Sequence, residues 1–295
     1  IKRFEPVAFL CGLLNSQPMG FYGPSQLIQD ARRHGVEVLP ADAARSGWEC
    51  DQEPSSFDPA RPAARLGLCL VKGFNQEAAG RITAARQIRP FQSVDDLARR
   101  AALSATELQA LANAGALQSL AGHRHQACWA AAGCQTVPEL LREIPVPETM
   151  PSLPAPDETQ EVIADYARLG FSLGRHPLSF IRGLLRAERF LSAAEIANCP
   201  DRKLARAAGI VTCRQRPGTA KGTMFITLED ETGWINVVVR PELLETERQI
   251  LLGACLLGVY GQITRQGSVV HLHAKRVVDR SSQLGRLAAR SRDFH

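Results

Sequence analysis

From about residue 206 the hydrophobic pattern changes from helical spacing to strand-like runs, and this switch restricts the fold more than any other feature of the chain. The runs are AGIVTCRQR, TMFITLED, WINVVVR, ACLLGVYGQITRQ and SVVHLHAKRVVD, bounded by Gly, Pro or Asn. One helical stretch, ELLETERQILL, falls between the third and the fourth. Five strands with a helix in that place is the order of an OB barrel. Upstream, residues 65–133 are rich in Ala and Leu and broken repeatedly by Gly, which predicts helices. Residues 157–198 return to helix, with a break at GRHP. The expected class is multidomain α+β, a helical region followed by a five-stranded OB-fold β-barrel.

Pro138, Pro145, Pro147, Pro151, Pro154 and Pro156 forbid a continuous helix and mark a linker. At the start, Phe4, Val7, Ala8, Cys11 and Leu14 follow helical spacing. A second helix begins near Ser25, which can cap it, and stops at Gly35. VEVLP reads as a short strand, and SGWECDQEPSSFDPARP as a loop or boundary. The expected divisions are 1–60, a helical domain at 61–135, a Pro-rich linker with connecting helices at 136–204, the barrel at 205–280, and a basic, poorly ordered tail at 281–295. The chain opens on Ile1 rather than Met and reads as a piece of a longer protein.

Net charge is +5, and its distribution is more informative than its size. Residues 61–125 carry 9 Lys and Arg against 4 acidic residues, and residues 206–276 carry 9 against 6. The last sixteen residues add four Arg and one Asp, while 1–60 and 126–200 are acidic. Basic segments are candidates for phosphate binding, because neutralising phosphates releases counterions; ordinary Arg-rich composition is the alternative. No apolar run is long enough to span a membrane, and no signal peptide opens the chain. The 8 cysteines are scattered without C-x-x-C pairs, as expected of reduced thiols in a cytoplasmic protein and not of a zinc site.

LCLVKGFNQEAAGRITAAR, residues 68–86, predicts a helix running into Lys72-Gly73-Phe74-Asn75 and a new helix from Gln76. A helix-hairpin-helix needs such a turn, with backbone N–H groups facing one phosphate. Gly73 permits close approach, the N-terminus of the second helix supplies donors, and Lys72 and Arg81 add charge. Asn75 stands where a second glycine is usual and tolerates left-handed backbone. A purely structural helical corner is the competing reading. A related unit has its turn at Gly115 and places His123, Arg124 and His125 at the next helix start, as phosphate contacts.

In the barrel, Phe225 and Trp234 are candidate stacking platforms for single-stranded nucleic acid, with Arg214, Arg216, Lys221, Arg240 and Arg265 nearby. RQRPGTAKGT resembles a flexible basic loop between the first two strands. Alternation leaves open whether Phe225 or Met224 enters the core. His271 and His273 share one face of a strand and read as surface side chains. Glu229, Asp230 and Glu231 lie at a hairpin, where Asp-Glu-Thr-Gly is ordinary turn chemistry. No phosphate-binding loop, H-E-x-x-H or G-x-S-x-G occurs, and no catalytic constellation is evident.

EPVAFLCGLLNSQPMGFYGPSQLIQDARRHGVEVLPAD resembles the fingers region of bacterial C-family DNA polymerases, the polymerase III alpha-subunit type. LLNSQPMGFY and DARRHGVEVLP look most like its error-prone, damage-inducible branch. RLGLCLVKGF, RPFQSVDDLARRAALSATELQALANAGAL, LGFSLGRHPL and AAGIVTCRQRPGTAKGTMFITLEDETGWINVVV resemble, in order, the tandem helix-hairpin-helix domain, a G-H-P element and the OB domain. The resemblance covers nearly the whole chain. It implies a fingers remnant over 1–60, hairpins that grip primer–template duplex, and a barrel that meets single-stranded template. It implies a parent nucleotidyltransferase using divalent metal (Mg), with its palm aspartates upstream. No cofactor and no catalytic residue carry over to this fragment, which is expected to be inactive alone. Arg32, Arg33 and His34 match positions near the incoming nucleotide or template. A clamp-binding peptide is not evident, which points to accessory mutagenesis proteins as the route to the sliding clamp. A module that recruits such proteins is the alternative function.

Overall fold

In the computed structural model the chain divides into two compact units, Ile1–Leu173 and Gly174–His295. The structure describes residues 2–19, 22–55, 58–59, 61–134, 151–220, 222–267, 269–287 and 292–294. Most of the Pro-rich segment therefore lies outside the described residues.

The first unit opens with helices α1 (Pro6–Asn15) and α2 (Pro24–Arg33). Strands β1 (Val38–Leu39), β2 (Asp51–Pro54) and β3 (Pro62–Arg65) follow. β3 is central, parallel to β1 and antiparallel to β2. The stretch expected to be a boundary loop thus contains β2 and the first residue of β3, and their sheet runs across the expected division at residue 60. Arg65 explains why so polar a stretch pairs: its guanidinium, only 10% exposed, is held by Glu53 and the Pro40 carbonyl.

Helices α3 (Gln76–Ile88), α4 (Val94–Arg100), α5 (Ala105–Asn113), α6 (Gln118–Ala121), α7 (Arg124–Gly133) and α8 (Glu158–Arg168) complete this unit. Their starts are written in the sequence. Ser93, Ser104 and Asp157 each accept a hydrogen bond from the third helical N–H, and Glu107 and Gln160 reciprocate in capping boxes. Leu66, Leu68, Ile82, Leu97, Leu108, Leu111 and Leu117 are fully buried in one shared core.

The second unit begins with α9 (Pro177–Ala187) and α10 (Ala193–Ala197). The barrel strands are β4 (Leu204–Gln215), β5 (Met224–Asp230), β6 (Gly233–Val239), β7 (Leu256–Gln266) and β8 (Val269–Asp279), with α11 (Pro241–Thr246) and α12 (Arg248–Gly253) between the third and fourth. β4 pairs with both β5 and β7, and β6 lies parallel to β8, so the sheet closes. A bulge at Tyr260/Gly261 bends the β7–β8 ladder. There a Cβ on Gly261 would stand 2.2 Å from the His273 carbonyl oxygen, which is why no side chain fits. Val211, Ile226, Leu228, Ile235, Val237, Val259, Ile263 and Leu272 fill the interior at alternate positions. The expected poorly ordered tail instead holds a short strand, β9 (Arg292–Phe294), parallel to β4.

Candidate nucleic-acid interface

The first candidate contact is the turn before α3. Leu68–Leu70 form a single tight turn in place of the expected helix, and Phe74 anchors the loop in the core. Gly73 is exposed and takes φ +79, and a side chain there would meet nothing within 4 Å. Backbone conformation, and not crowding, therefore selects glycine. Asn75 is extended, not left-handed, and its Oδ1 accepts from the Ala78 N–H at 2.8 Å. It replaces a glycine by capping the helix. Among the described residues, no acceptor meets the N–H groups of Gly73, Asn75, Gln76 and Glu77. They stand at the positive end of a 13-residue helix.

The flanking cations are partly committed. Lys72 is exposed, and its Nζ reaches the Ala167 carbonyl at 3.3 Å, at the end of α8. Arg81 donates to both oxygens of Glu107 at 3.0 Å and to the Ala101 carbonyl, so it braces α3 against α5. Burial raises the Glu107 pKa, but the bonds it accepts from Ser104, Asn75 and Arg81 hold it below the ordinary carboxylate value.

The second hairpin is closed from within. Gly115 (φ +75) has the Arg124 guanidinium packed against it, 3.0 Å from where a Cβ would lie. Arg124 is 6% exposed and bonded to Glu161, Asp165 and the Asn113 carbonyl. The expectation of a phosphate contact there gives way to an internal clamp that holds α8. His123 caps α7 and meets the Leu153 carbonyl, and His125 meets that of Pro154. Both histidines secure the incoming chain at 151–154.

On the barrel, β5, β6 and β8 turn a second set of side chains away from the core. Phe225 pairs with Val238, and Val238 with His273; Thr227 pairs with Asn236, and Asn236 with His271. β7 extends both rows with Gln262 and Thr264. Met224 enters the core and Phe225 faces out, so the alternation resolves in favour of an outward Phe225. Trp234 is 43% exposed on the same side, beside an exposed Asn236. The arginines divide. Arg216 and Arg240 are exposed. Arg214 is buried, its guanidinium bonded to the Leu251 and Ala254 carbonyls at the end of α12. Arg265 donates to the Ala197 and Cys199 carbonyls. Neither Arg214 nor Arg265 serves the outer face, and Lys221 lies outside the described residues. The face gains His271 and His273, which sequence reading left aside. Burial first, then the charge of Arg240 and the neighbouring His271, push the His273 pKa below 6.5.

A family model described as a helix-hairpin-helix motif matches residues 35–127, and one described as an OB-fold nucleic acid binding domain matches 206–279. Part of the chain is similar to a solved asparaginyl-tRNA synthetase from Pyrococcus horikoshii (21% identity, TM-score 0.27, 31% of this chain and 22% of that one). The entire chain aligns with the error-prone DNA polymerases of Aromatoleum aromaticum at 62% identity, Azoarcus sp. at 59% and Alkalilimnicola ehrlichii at 50%. The chain is homologous to one segment of the error-prone DNA polymerases. It spans 28% of the length of the first two relatives and 29% of the third.

In this chain the acidic triplet on the barrel hairpin is structural. Asp230 is fully buried and accepts from Arg182, from the Ala193 N–H at the start of α10, and from Thr232 and Gly233. Glu231 takes the other edge of Arg182, and Glu229 faces His176 at 3.4 Å. Asp230 and Glu231 are engaged by protein donors, which does not suit a metal, and no group of metal-ligating side chains appears among the described residues. His176, in the G-R-H-P stretch, and Arg182, within α9, clasp α9 to β5. Of the fingers-matching residues, Arg32 donates to the Leu173 carbonyl at 2.8 Å, Arg33 to Gln29, and His34 lies against Asp30. Arg32 also lines an open cavity of about 450 Å³ with Glu37, Ser55 and Arg61.

Proposed function

We propose that this segment holds DNA for a polymerase that copies damaged templates. The Gly73 turn takes a backbone phosphate of primer–template duplex, and the outer face of β5, β6 and β8 takes single-stranded template. The observation that carries this reading is the in-register face of Phe225, Thr227, Asn236, His271 and His273, with Trp234 beside it. A sheet that seals its core on one side and lines up aromatic, amide and imidazole groups on the other suits stacked bases. The free N–H groups at Gly73–Glu77 support the duplex contact, since a helix start favours an anion. Primer extension with divalent metal would belong to other parts of such an enzyme, working in the bacterial cytoplasm with accessory proteins that lead it to the clamp.

The test is a titration of single-stranded, duplex and primer–template DNA at two salt concentrations. Affinity is expected to fall steeply with salt. K72E should weaken duplex binding selectively. The pair F225A/W234A should weaken single-strand binding by about 1–3 kcal/mol per lost stack. Affinity that ignores salt, or single-strand binding unchanged in F225A/W234A, would overturn the reading.

A further inference from the structure

Beyond that face, β4, β7 and β8 carry a second organised surface. Arg206, Tyr260 and Arg276 are neighbours across adjacent strands, in the order Arg206↔Tyr260↔Arg276. The two guanidiniums lie 5.1 and 5.3 Å from the centre of the Tyr260 ring. Phe190 meets that ring edge-on at 5.5 Å and fixes it. Arg206 also donates to the Glu188 carbonyl at 3.2 Å, while the Glu188 carboxylate is held by Arg280. Arg206 and Arg276 are exposed, Lys275 beside them is exposed, and neither arginine has a carboxylate partner among the described residues.

This arrangement is a poor device for stability. An exposed cation–π contact contributes about 0.5–1 kcal/mol, and like charges held on one row oppose it. It is a good device for an anion. The ring holds both guanidiniums in place before a ligand arrives, which lowers the ordering cost of binding. Their planar forks match phosphate oxygens.

We infer that Arg206 and Arg276, braced by Tyr260, form a second phosphate-binding station on the barrel, for the sugar–phosphate backbone of the strand that crosses the Phe225 face. The two surfaces are continuous. Tyr260 lies two positions from Gln262, whose partner is His273, which leads through Val238 to Phe225. Three inter-strand steps separate β5 from β7, about 14 Å at the usual strand spacing. A single strand of ordinary OB site size covers that distance.

The inference rests on single-strand binding by the barrel, and the experiment separates the two. The 295-residue chain is titrated with oligothymidines of about 5 and about 16 nucleotides, the lower and upper range of an OB site. R206Q/R276Q should leave affinity for the short oligomer unchanged. It should weaken the long one and reduce the slope of log affinity against log salt by about 1.4, two phosphate contacts on a single strand. Y260A should reproduce part of this loss. F225A/W234A should weaken both lengths. An unchanged slope in R206Q/R276Q, with F225A/W234A impaired, overturns the station and leaves the Phe225 face intact. If the wild-type chain binds neither oligomer, both fall. If R206Q/R276Q loses only binding to polyglutamate, the station is a protein contact and the inference is overturned.

Discussion

Arg182 is 8% exposed and faces two carboxylates, Asp230 and Glu231, the first of them fully buried. Truncating such a residue strands its partners in low dielectric. Arg182→Met is expected to lower the stability of the second unit by about 3 kcal/mol, read by chemical denaturation. The same cluster sets an acid limit. Burial raises the Glu231 pKa, but the Arg182 hydrogen bond, a backbone bond and the Arg182 charge outweigh it, leaving the pKa below the ordinary 4.5. A depressed carboxylate stabilises the fold above its ordinary pKa and loses that contribution as pH falls through the folded value. Wild-type stability should therefore drop below pH 4.5, and the drop should be shallower in R182M. Failure of either trend in urea melts across that range would remove the clasp as a stabilising element.

The strand β8 brings His271 and His273 to the outer face, and titration of His273 should make that face pH-dependent. His273 is held below its ordinary 6.5 by burial, by Arg240 and by His271, which favours the neutral ring. An approaching phosphate favours the charged ring and raises its pKa. Single-strand affinity is expected to be higher at pH 5.5 than at pH 7.5, and H273Q should flatten the profile; equal profiles would refute the role. Much at this scale was legible in sequence. The five strands, the helical insertion between the third and fourth, and the start of α3 at Gln76 all follow from period and capping residues. Which arginines face solvent did not follow. Arg214 and Arg216 sit two apart on one run, yet α12 returns 37 residues later to bury the first. Arg124 likewise meets its partners Glu161 and Asp165 only after the Pro-rich stretch. The signal that exists, acidic side chains and helix C-termini later in the chain, is too common to single these out. The turn at Gly73 was legible because a turn glycine before a helix start is a local feature. The strands β2 and β3 were not, because their pairing depends on Arg65 finding Glu53 and Pro40 in space.

Each unit of the molecule owns a separate apolar core, one from Val7 to Phe171 and one from Ala193 to Val277. Chains with separate cores commonly unfold in more than one step. Scanning calorimetry should resolve two transitions, with R124M lowering one and R182M the other. A single transition, moved equally by both, would contradict this division. The barrel itself is unevenly sewn. β7 and β8 pair over ten positions, whereas β6 and β8 meet over three, Asn236 to Val238 against His271 to His273. That short seam is where the cylinder should breathe first, with amide protons there exchanging ahead of those between β7 and β8. Alternate residues of that seam, Asn236, Val238, His271 and His273, lie on the outer face, so a strand laid across them would act as a suture. Bound oligonucleotide should slow exchange at 236–238 and 271–273 more than anywhere else in the barrel, and the DNA would then be part of what keeps the cylinder shut.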